Sequence, residues 1–406
     1  MTVTIAPSTA NGRIYAPPSK SMAHRNLICA ALSSGSTVKR IDYSDDIKAT
    51  LTSLAALGAD VKMDGSTVYI GGLDPFNPKF PEKLYCHESG STLRFLVPLC
   101  LLSGKKTVLS GKERLFERPL SIYENICREQ GIYFDAQKNS LTVKGVLNNG
   151  RYAVAGNVSS QFISGLLFAL PLLPNDSTID ITGALESASY IKLTLKALGD
   201  FGVRVTRTDE TTFYIPGSQR FKPREIAVEG DYSNAAFLES FNLFGGNVMV
   251  EGLSPDSFQG DRVYREHFKT LCESNPVIDL ADCPDLAPML FAVAAAKNGG
   301  VFTSTARLRI KESNRAAVMQ QQLAKFGIEV VVEENRVIVK KGELHRPIGM
   351  LYGNNDHRIV MALSVLCSIT GGTIEGAEAV SKSYPAFFED IKKLGVNLEV
   401  GADEAS

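Results

Sequence analysis

The sequence predicts an α/β fold built by repeating one unit of two helices and several strands. Two series of motifs, out of phase with each other, carry that expectation. In the first, a short polar segment opens directly into an apolar, helix-length run. The openings are Ser19-Lys20-Ser21, Ser89-Gly90-Ser91, Ser159-Ser160-Gln161, Gly230-Asp231-Tyr232-Ser233, Asp282-Cys283-Pro284-Asp285 and Asn355-Asp356-His357-Arg358. Each places Ser, Asp, Asn or Gly where a helix N-cap favours them, because short polar groups satisfy the N–H donors left over by the first turn. Most openings lie about seventy residues apart, far longer than the units of common solenoids.

The second series begins at Leu54-Ala55-Ala56-Leu57-Gly58-Ala59-Asp60-Val61 and runs on to Val68-Tyr69-Ile70-Gly71. Similar passages run from Ile126 through Gly131 to Gly145, from Leu198 through Gly202 to Gly217, and from Leu323 through Gly327 to Gly342. Each reads as the last turn of a helix, a glycine stop, a strand, a short turn and a second strand. The copy around Phe268-Lys269-Thr270-Leu271 is degenerate, and a fading copy at Ile391-Lys392-Lys393-Leu394-Gly395-Val396 ends the chain.

Helix starts are also anion sites, since unpaired N–H groups coincide there with the positive end of the macrodipole. Several of these starts add a cation within a turn: Lys20 and Arg25, Arg94, Arg358. Repetition of one anion-friendly start predicts a chain that surrounds a small, highly negative ligand.

Composition narrows the class. The chain has 406 residues, 44% hydrophobic and 21% charged, which suits two or three compact cores. Lys plus Arg (43) nearly cancels Asp plus Glu (44), so no global basic field points to nucleic acid. Seven cysteines lack any Cys-x-x-Cys pair and five histidines lack His-x-x-x-His spacing, which argues for a reducing, cytoplasmic setting without zinc or disulfides. No basic-then-apolar leader opens the chain. The apolar runs 162–173 and 286–296 are too short to span a bilayer and carry prolines, so they read as buried helices and no membrane partner is expected.

The remaining cations cluster. In Pro17-Pro18-Ser19-Lys20-Ser21-Met22-Ala23-His24-Arg25 the prolines end a strand, and Ser21 and Arg25 then share a helical face beside Lys20. A planar fork next to a point charge suits a phosphate or carboxylate, although a solvated charged helix start would look the same. Lys311 and Arg315 are again four apart in Arg307-Leu308-Arg309-Ile310-Lys311-Glu312-Ser313-Asn314-Arg315, with Glu312 between them; a surface salt-bridge network is the bland alternative. Glu117-Arg118-Pro119 and Arg358 add two arginines at element boundaries.

Pro18-Ser19-Lys20-Ser21-x-x-x-Arg25, Ser89-Gly90-Ser91-x-x-Arg94, Glu117-Arg118-Pro119, Ser159-Ser160-Gln161-Phe162, Lys311-Glu312-Ser313-x-Arg315, Asp356-His357-Arg358 and Ser381-Lys382-Ser383-Tyr384-Pro385 stand in the order found in one family. The chain resembles the EPSP synthases over essentially its whole length. The resemblance implies a two-domain inside-out α/β barrel of six βαβαββ repeats, three per domain. Residues 1–18 and 230–406 would form the domain holding both termini and 19–229 its pseudo-symmetric counterpart, closing on substrates in the cleft between them.

The reaction implied is transfer of the enolpyruvyl group of phosphoenolpyruvate to the 5-hydroxyl of shikimate-3-phosphate, through a tetrahedral ketal. By the same resemblance Lys20, Ser21, Arg25, Ser159, Ser160, Gln161, Ser187, Tyr190, Asp285 and Lys311 hold shikimate-3-phosphate. Lys20, Gly90, Arg118, Gln161, Arg315, Arg358 and Lys382 hold phosphoenolpyruvate. Asp285 matches the hydroxyl base, and Glu312 with Lys20 the groups that manage protons at the methylene carbon. No metal or organic cofactor is implied, glyphosate is the family's inhibitor, and a monomer is expected.

Some positions depart from the commonest pattern. Glu88 stands where many members have Asn, Phe95 where Pro is usual, Ser187-Ala188-Ser189-Tyr190 lacks a basic residue, and Arg307 replaces a frequent Asn. They bear on substrate affinity and glyphosate sensitivity. Two other readings are weighed: the sister enzyme acting on UDP-N-acetylglucosamine, and a non-catalytic anion-binding scaffold. The first usually has Lys-Asn where this chain has Lys20-Ser21 and a reactive Cys where Gly111–Pro119 has none; the second leaves Asp285 and Glu312 without a role.

Overall fold

A computed structural model describes residues 1–401. The chain forms two compact units, Met1–Pro17 with Gly230–Ser406, and Pro18–Glu229. Each has its own hydrophobic core, the first around residues such as Phe237, Phe291 and Leu363, the second around Leu27, Leu96 and Phe168.

Within Pro18–Glu229 three four-stranded sheets share one strand order. Arg151–Ala155 pairs in parallel with Ser177–Thr182 across the helix Ser160–Ala169; Ser177–Thr182 then pairs antiparallel with Thr212–Ile215, the far arm of a hairpin with Thr206–Arg207. Leu84–Tyr85, Thr107–Ser110, Ser140–Lys144 and Tyr133–Ala136 repeat the pattern. Alternation sets the register: Leu109, Leu141 and Val143 are fully buried while their neighbours reach outward. In the third sheet the leading strand is Glu225–Ala227, from the far end of the unit, parallel to Ser36–Lys39.

The other unit holds two such sheets and one remnant. Val277–Asp279, Gly300–Thr303, Arg336–Val339 and Val330–Val332 keep the order. So do Leu351–Tyr352, Gly372–Glu375, Thr2–Ile5 and Leu398–Gly401. The copy expected to fade at the C-terminus is therefore complete, its missing strand being supplied by the start of the chain. The degenerate copy is a true remnant: among the described residues Asn11–Tyr15 pairs only with Asn247–Glu251. The helix Tyr264–Glu273 ends on Ser274 in extended backbone, with no left-handed glycine to reverse it into a hairpin, and the chain passes on to Val277. Where the stop is present it works as expected: Gly58 at φ 119° caps Asp45–Leu57, and Ala59 N–H reaches back to the Leu54 carbonyl at 3.0 Å.

Four of the helix starts are capped by the side chains named from sequence. Ser89 accepts from Thr92 N–H (3.1 Å), Ser159 from Gln161 N–H (3.3 Å), Asp231 from Asn234 N–H (2.8 Å) and Asp356 from Arg358 N–H (3.0 Å). Ser19 stands at the N-cap of Lys20–Ala31 without a side-chain bond. At the fifth start a 3₁₀ turn, Pro284–Leu286, precedes the helix Ala287–Ala296, so Asp285 is not a cap and its carboxylate is left for other partners. Among the described residues no helix is long and apolar enough to cross a membrane.

Candidate active site

In Pro18–Glu229 the polar groups gather at the starts of the helices Lys20–Ala31, Gly90–Cys100 and Ser160–Ala169. Gly90 sits against two guanidinium groups: a methyl there would lie 2.8 Å from Nη1 of both Arg118 and Arg94. Arg94 donates to the Gln161 Oε1 (2.8 Å) and the Pro119 carbonyl (3.1 Å), and it stacks on Phe162 at 5.1 Å. Gln161 Nε2 donates to Ser91 Oγ at 3.0 Å, so both ends of its amide are oriented. Ser159 and Ser160 open the same helix. Lys20 is ion-paired with Asp46 at 2.7 Å.

Arg25 is buried, and its planar fork is shared out: Nε donates to Thr194 Oγ1 (2.8 Å), Nη1 to the Ser21 carbonyl (2.7 Å) and Nη2 to the Tyr190 carbonyl (3.0 Å). It reaches Ser21 through the backbone, as the four-residue spacing allows. Burial lowers its pKa to about 10. Phe95, one of the departures from the common pattern, lies fully buried with the Arg25 guanidinium 5.1 Å from its ring, a cation–π seat. Ser187, at φ 59°, is the N-cap of Ala188–Asp200, which carries Tyr190. Glu88 is buried and paired with Lys112 at 3.4 Å.

The unit with both termini holds a denser cluster. Arg315, fully buried, donates to Asp285 Oδ1 (2.8 Å), Glu312 Oε2 (2.8 Å) and Asp356 Oδ2 (2.9 Å). Lys311 lies 3.3 Å from Asp285 Oδ1, and Arg358 Nη2 3.0 Å from its other oxygen. Lys382 donates to the Asn355 carbonyl at 2.6 Å, and Arg307 to the Ala281 carbonyl at 2.8 Å. Lys311 and Arg315, though four apart, do not share a helical face. Lys311 ends the turn Ala306–Ile310, and the helix Arg315–Lys325 begins only after the Asn314 cap; the two side chains converge on Asp285 from separate segments.

The charges decide the protonation states. Burial pushes the Asp285 carboxyl up, but Arg358, Lys311 and Arg315 outweigh it and hold it well below the usual range. Burial lowers Lys311, with Asp285 opposing. Burial would also lower Arg315, but Asp356, Glu312 and Asp285 raise it well above its ordinary value. Sequence reasoning missed Asp46 as the partner of Lys20, Ser233 as a partner of Arg358, and Asp356 as a partner of Arg315; Arg94 reads from sequence as a cation at its helix start but is not assigned to the site. Asp356 and Ser233 stand inside two of the helix-start motifs, and Asp46, second in its helix after the Ser44 cap and Asp45, looks like an ordinary first-turn acid.

Fold and clusters together define an α/β anion-handling protein in which helix starts and arginines converge on small polar sites. The family described as EPSP synthase (3-phosphoshikimate 1-carboxyvinyltransferase) matches residues 5–391, and the chain belongs to it. It is 41% identical to the 3-phosphoshikimate 1-carboxyvinyltransferase of Clostridium kluyveri, over 98% of each chain. It is also 41% identical to that of Clostridium acetobutylicum, over 97% of each. In fold it resembles the solved EPSP synthase of Acinetobacter baumannii, with a TM-score of 0.78 at 24% identity over 99% of this chain and 100% of the other.

Proposed function

We propose that this enzyme transfers the enolpyruvyl group of phosphoenolpyruvate to the 5-hydroxyl of shikimate-3-phosphate, releasing phosphate, in the shikimate route to aromatic amino acids. Membership of the family supports the reaction. The observation that carries the residue assignments is Asp285, a carboxylate gripped by Lys311, Arg315 and Arg358. Phosphate and carboxylate groups of incoming substrates are ligands of the same kind, and by competing for these cations they return Asp285 toward the basicity that the chemistry needs.

The hydroxyl oxygen attacks C2 of phosphoenolpyruvate while C3 gains a proton, giving the ketal; C3 then loses a proton as phosphate departs. Asp285 receives the hydroxyl proton. Glu312, 2.8 Å from Arg315, and Lys20 handle the proton at C3. Lys20, Gly90, Arg118 and Gln161 receive phosphoenolpyruvate, as do Arg315, Arg358 and Lys382. Lys20, Ser21, Arg25, Ser159, Ser160, Ser187, Tyr190 and Lys311 receive shikimate-3-phosphate. Glyphosate would compete at the phosphoenolpyruvate groups. The shared strand order supports six βαβαββ repeats of an inside-out barrel, the remnant sheet counting as a shortened one. A cytoplasmic monomer completes the reading.

A phosphate-release assay tests it. Phosphate should appear with phosphoenolpyruvate and shikimate-3-phosphate together, and not with UDP-N-acetylglucosamine as acceptor. Release with UDP-N-acetylglucosamine alone, or with neither acceptor, would overturn it.

A further inference from the structure

One buried acid beside this cluster has no part in the reaction as assigned above. Asp261 lies in the turn Gly260–Val263 and is 6% exposed. Its segment is anchored by Gln259, whose Nε2 donates to the Gly230 carbonyl (2.8 Å) and whose Oε1 accepts from Tyr232 N–H (3.0 Å). That anchor sets Asp261 against Ser233, in the first turn of the helix Tyr232–Glu239. The Ser233 hydroxyl donates to the Asp261 carboxylate and accepts from Arg358 Nη1. Arg358 Nη2 in turn donates to Asp285 Oδ2 at 3.0 Å. Asp261, Ser233, Arg358 and Asp285 thus form one polar chain. Asp261 Oδ1 is buried without a hydrogen-bond partner, an unfavourable arrangement for an ionised carboxylate.

We propose that Asp261 is a positioning residue for the reaction: through the Ser233 hydroxyl it sets Arg358, and through Arg358 it sets the carboxylate of Asp285. The inference rests on the reading of Arg358 as a phosphoenolpyruvate ligand and of Asp285 as the base. The charged and titratable groups facing Asp261 are Asp285 and Cys283 from the 282–286 segment, Asp231 from the cap before Ser233, and Arg358. Burial, then Asp285 and Asp231, raise the Asp261 carboxyl to about 7, with Arg358 and Ser233 opposing. A neutral Asp261 leaves Arg358 to Asp285 and to the incoming anion. An ionised one competes for Arg358 and adds negative charge beside it, so phosphoenolpyruvate binds less well as pH rises.

The test compares the phosphoenolpyruvate KM at pH 6 and pH 8.5 in wild type, Asp261→Asn, Ser233→Ala and Arg358→Ala. Wild type should lose about fivefold or more in affinity across that range, the lower end of typical coupling between sites, while Asp261→Asn stays nearly flat. Ser233→Ala, which cuts the link, should raise KM at both pH values. A wild-type profile retained in Asp261→Asn overturns the inference, as does an equal loss of kcat/KM at every pH, the mark of a purely structural acid. Arg358→Ala separates the two levels. If it leaves KM unchanged, the ligand assignment itself fails; if it raises KM while Asp261→Asn keeps the wild-type profile, only the role of Asp261 falls.

Discussion

Arg25 and Arg94 on one side, and Arg315, Arg358 and Lys311 on the other, are held in different ways. In Pro18–Glu229, Arg25 and Arg94 are held by hydroxyl, amide and carbonyl oxygens: Thr194, Ser21 and Tyr190 for one, Gln161 and Pro119 for the other. In the unit with both termini, Arg315, Arg358 and Lys311 are held by carboxylates, chiefly Asp285, Glu312 and Asp356. Neutral partners orient a guanidinium and leave its charge for a ligand. Carboxylate partners cancel the charge, and an incoming anion must compete with them. The first arrangement suits binding. The second couples binding to the protonation state of the displaced carboxylate, which proton-transfer chemistry requires.

The largest effect should come from Asp285→Asn, which removes the base and leaves its shape. Turnover should fall by about 10²–10⁴. Phosphoenolpyruvate and shikimate-3-phosphate should each still bind within about tenfold by calorimetry, since three cations lose a competitor rather than a ligand. An active Asn variant would reduce Asp285 to a counter-ion, and the contrast between the clusters would lose its chemical meaning.

Next in size are the arginines. Arg358→Ala should cost about 2–5 kcal/mol in phosphoenolpyruvate binding, and Arg25→Ala a similar amount in shikimate-3-phosphate binding, read from each KM. Arg25→Ala should also lower the melting temperature, because Thr194 and two carbonyls lose their donor. An equal, small change in both constants would show that the arginines only line the rim.

Asp261 gives a pH-dependent effect on stability. Its folded pKa of about 7 lies above the 3.8 of a free carboxyl, so its contribution is fully present below pH 3.8 and is lost as pH rises through 7. By linkage the loss is at most about 4 kcal/mol. Asp261→Asn escapes it, so its melting temperature relative to wild type should rise between pH 5 and pH 8. A constant difference would show that the carboxyl titrates at its ordinary value.

The smallest effect belongs to Gly90→Ala. The added methyl meets the side-chain ends of Arg94 and Arg118 at 2.8 Å rather than backbone, so the fold should tolerate it. Displacing those guanidinium groups should raise the phosphoenolpyruvate KM by about tenfold, roughly 1.4 kcal/mol, with little change for shikimate-3-phosphate. An unchanged constant would remove Gly90 from the site.

Local signals carried much of this structure into the sequence. Gly58 and the caps Ser89, Ser159, Asp231 and Asp356 act within one turn, so their neighbours in the chain suffice to reveal them. What stayed hidden depends on distant segments meeting. Thr2–Ile5 completes the sheet that begins at Leu351, and nothing near either segment announces the pairing. Asp285 looked like a cap from its neighbours, yet its state is set by Lys311, Arg315 and Arg358. Asp46 and Asp261 carry no signal among their neighbours in the chain, because their significance comes from Lys20 in one case and from Ser233 and Arg358 in the other.

The exchange of carboxylate for substrate anion can be observed directly by following the Asp285 carboxyl in protein carrying ¹³C-labelled aspartate. Its resonance is assigned by loss in Asp285→Asn and titrated with and without shikimate-3-phosphate plus a non-reacting phosphoenolpyruvate analogue. Without ligands the group should stay ionised well below the ordinary carboxylate range, and with both bound its pKa should move up. An Asp285 that titrates at the same pH in both states would contradict the exchange, and with it the assignment of this carboxylate as the base.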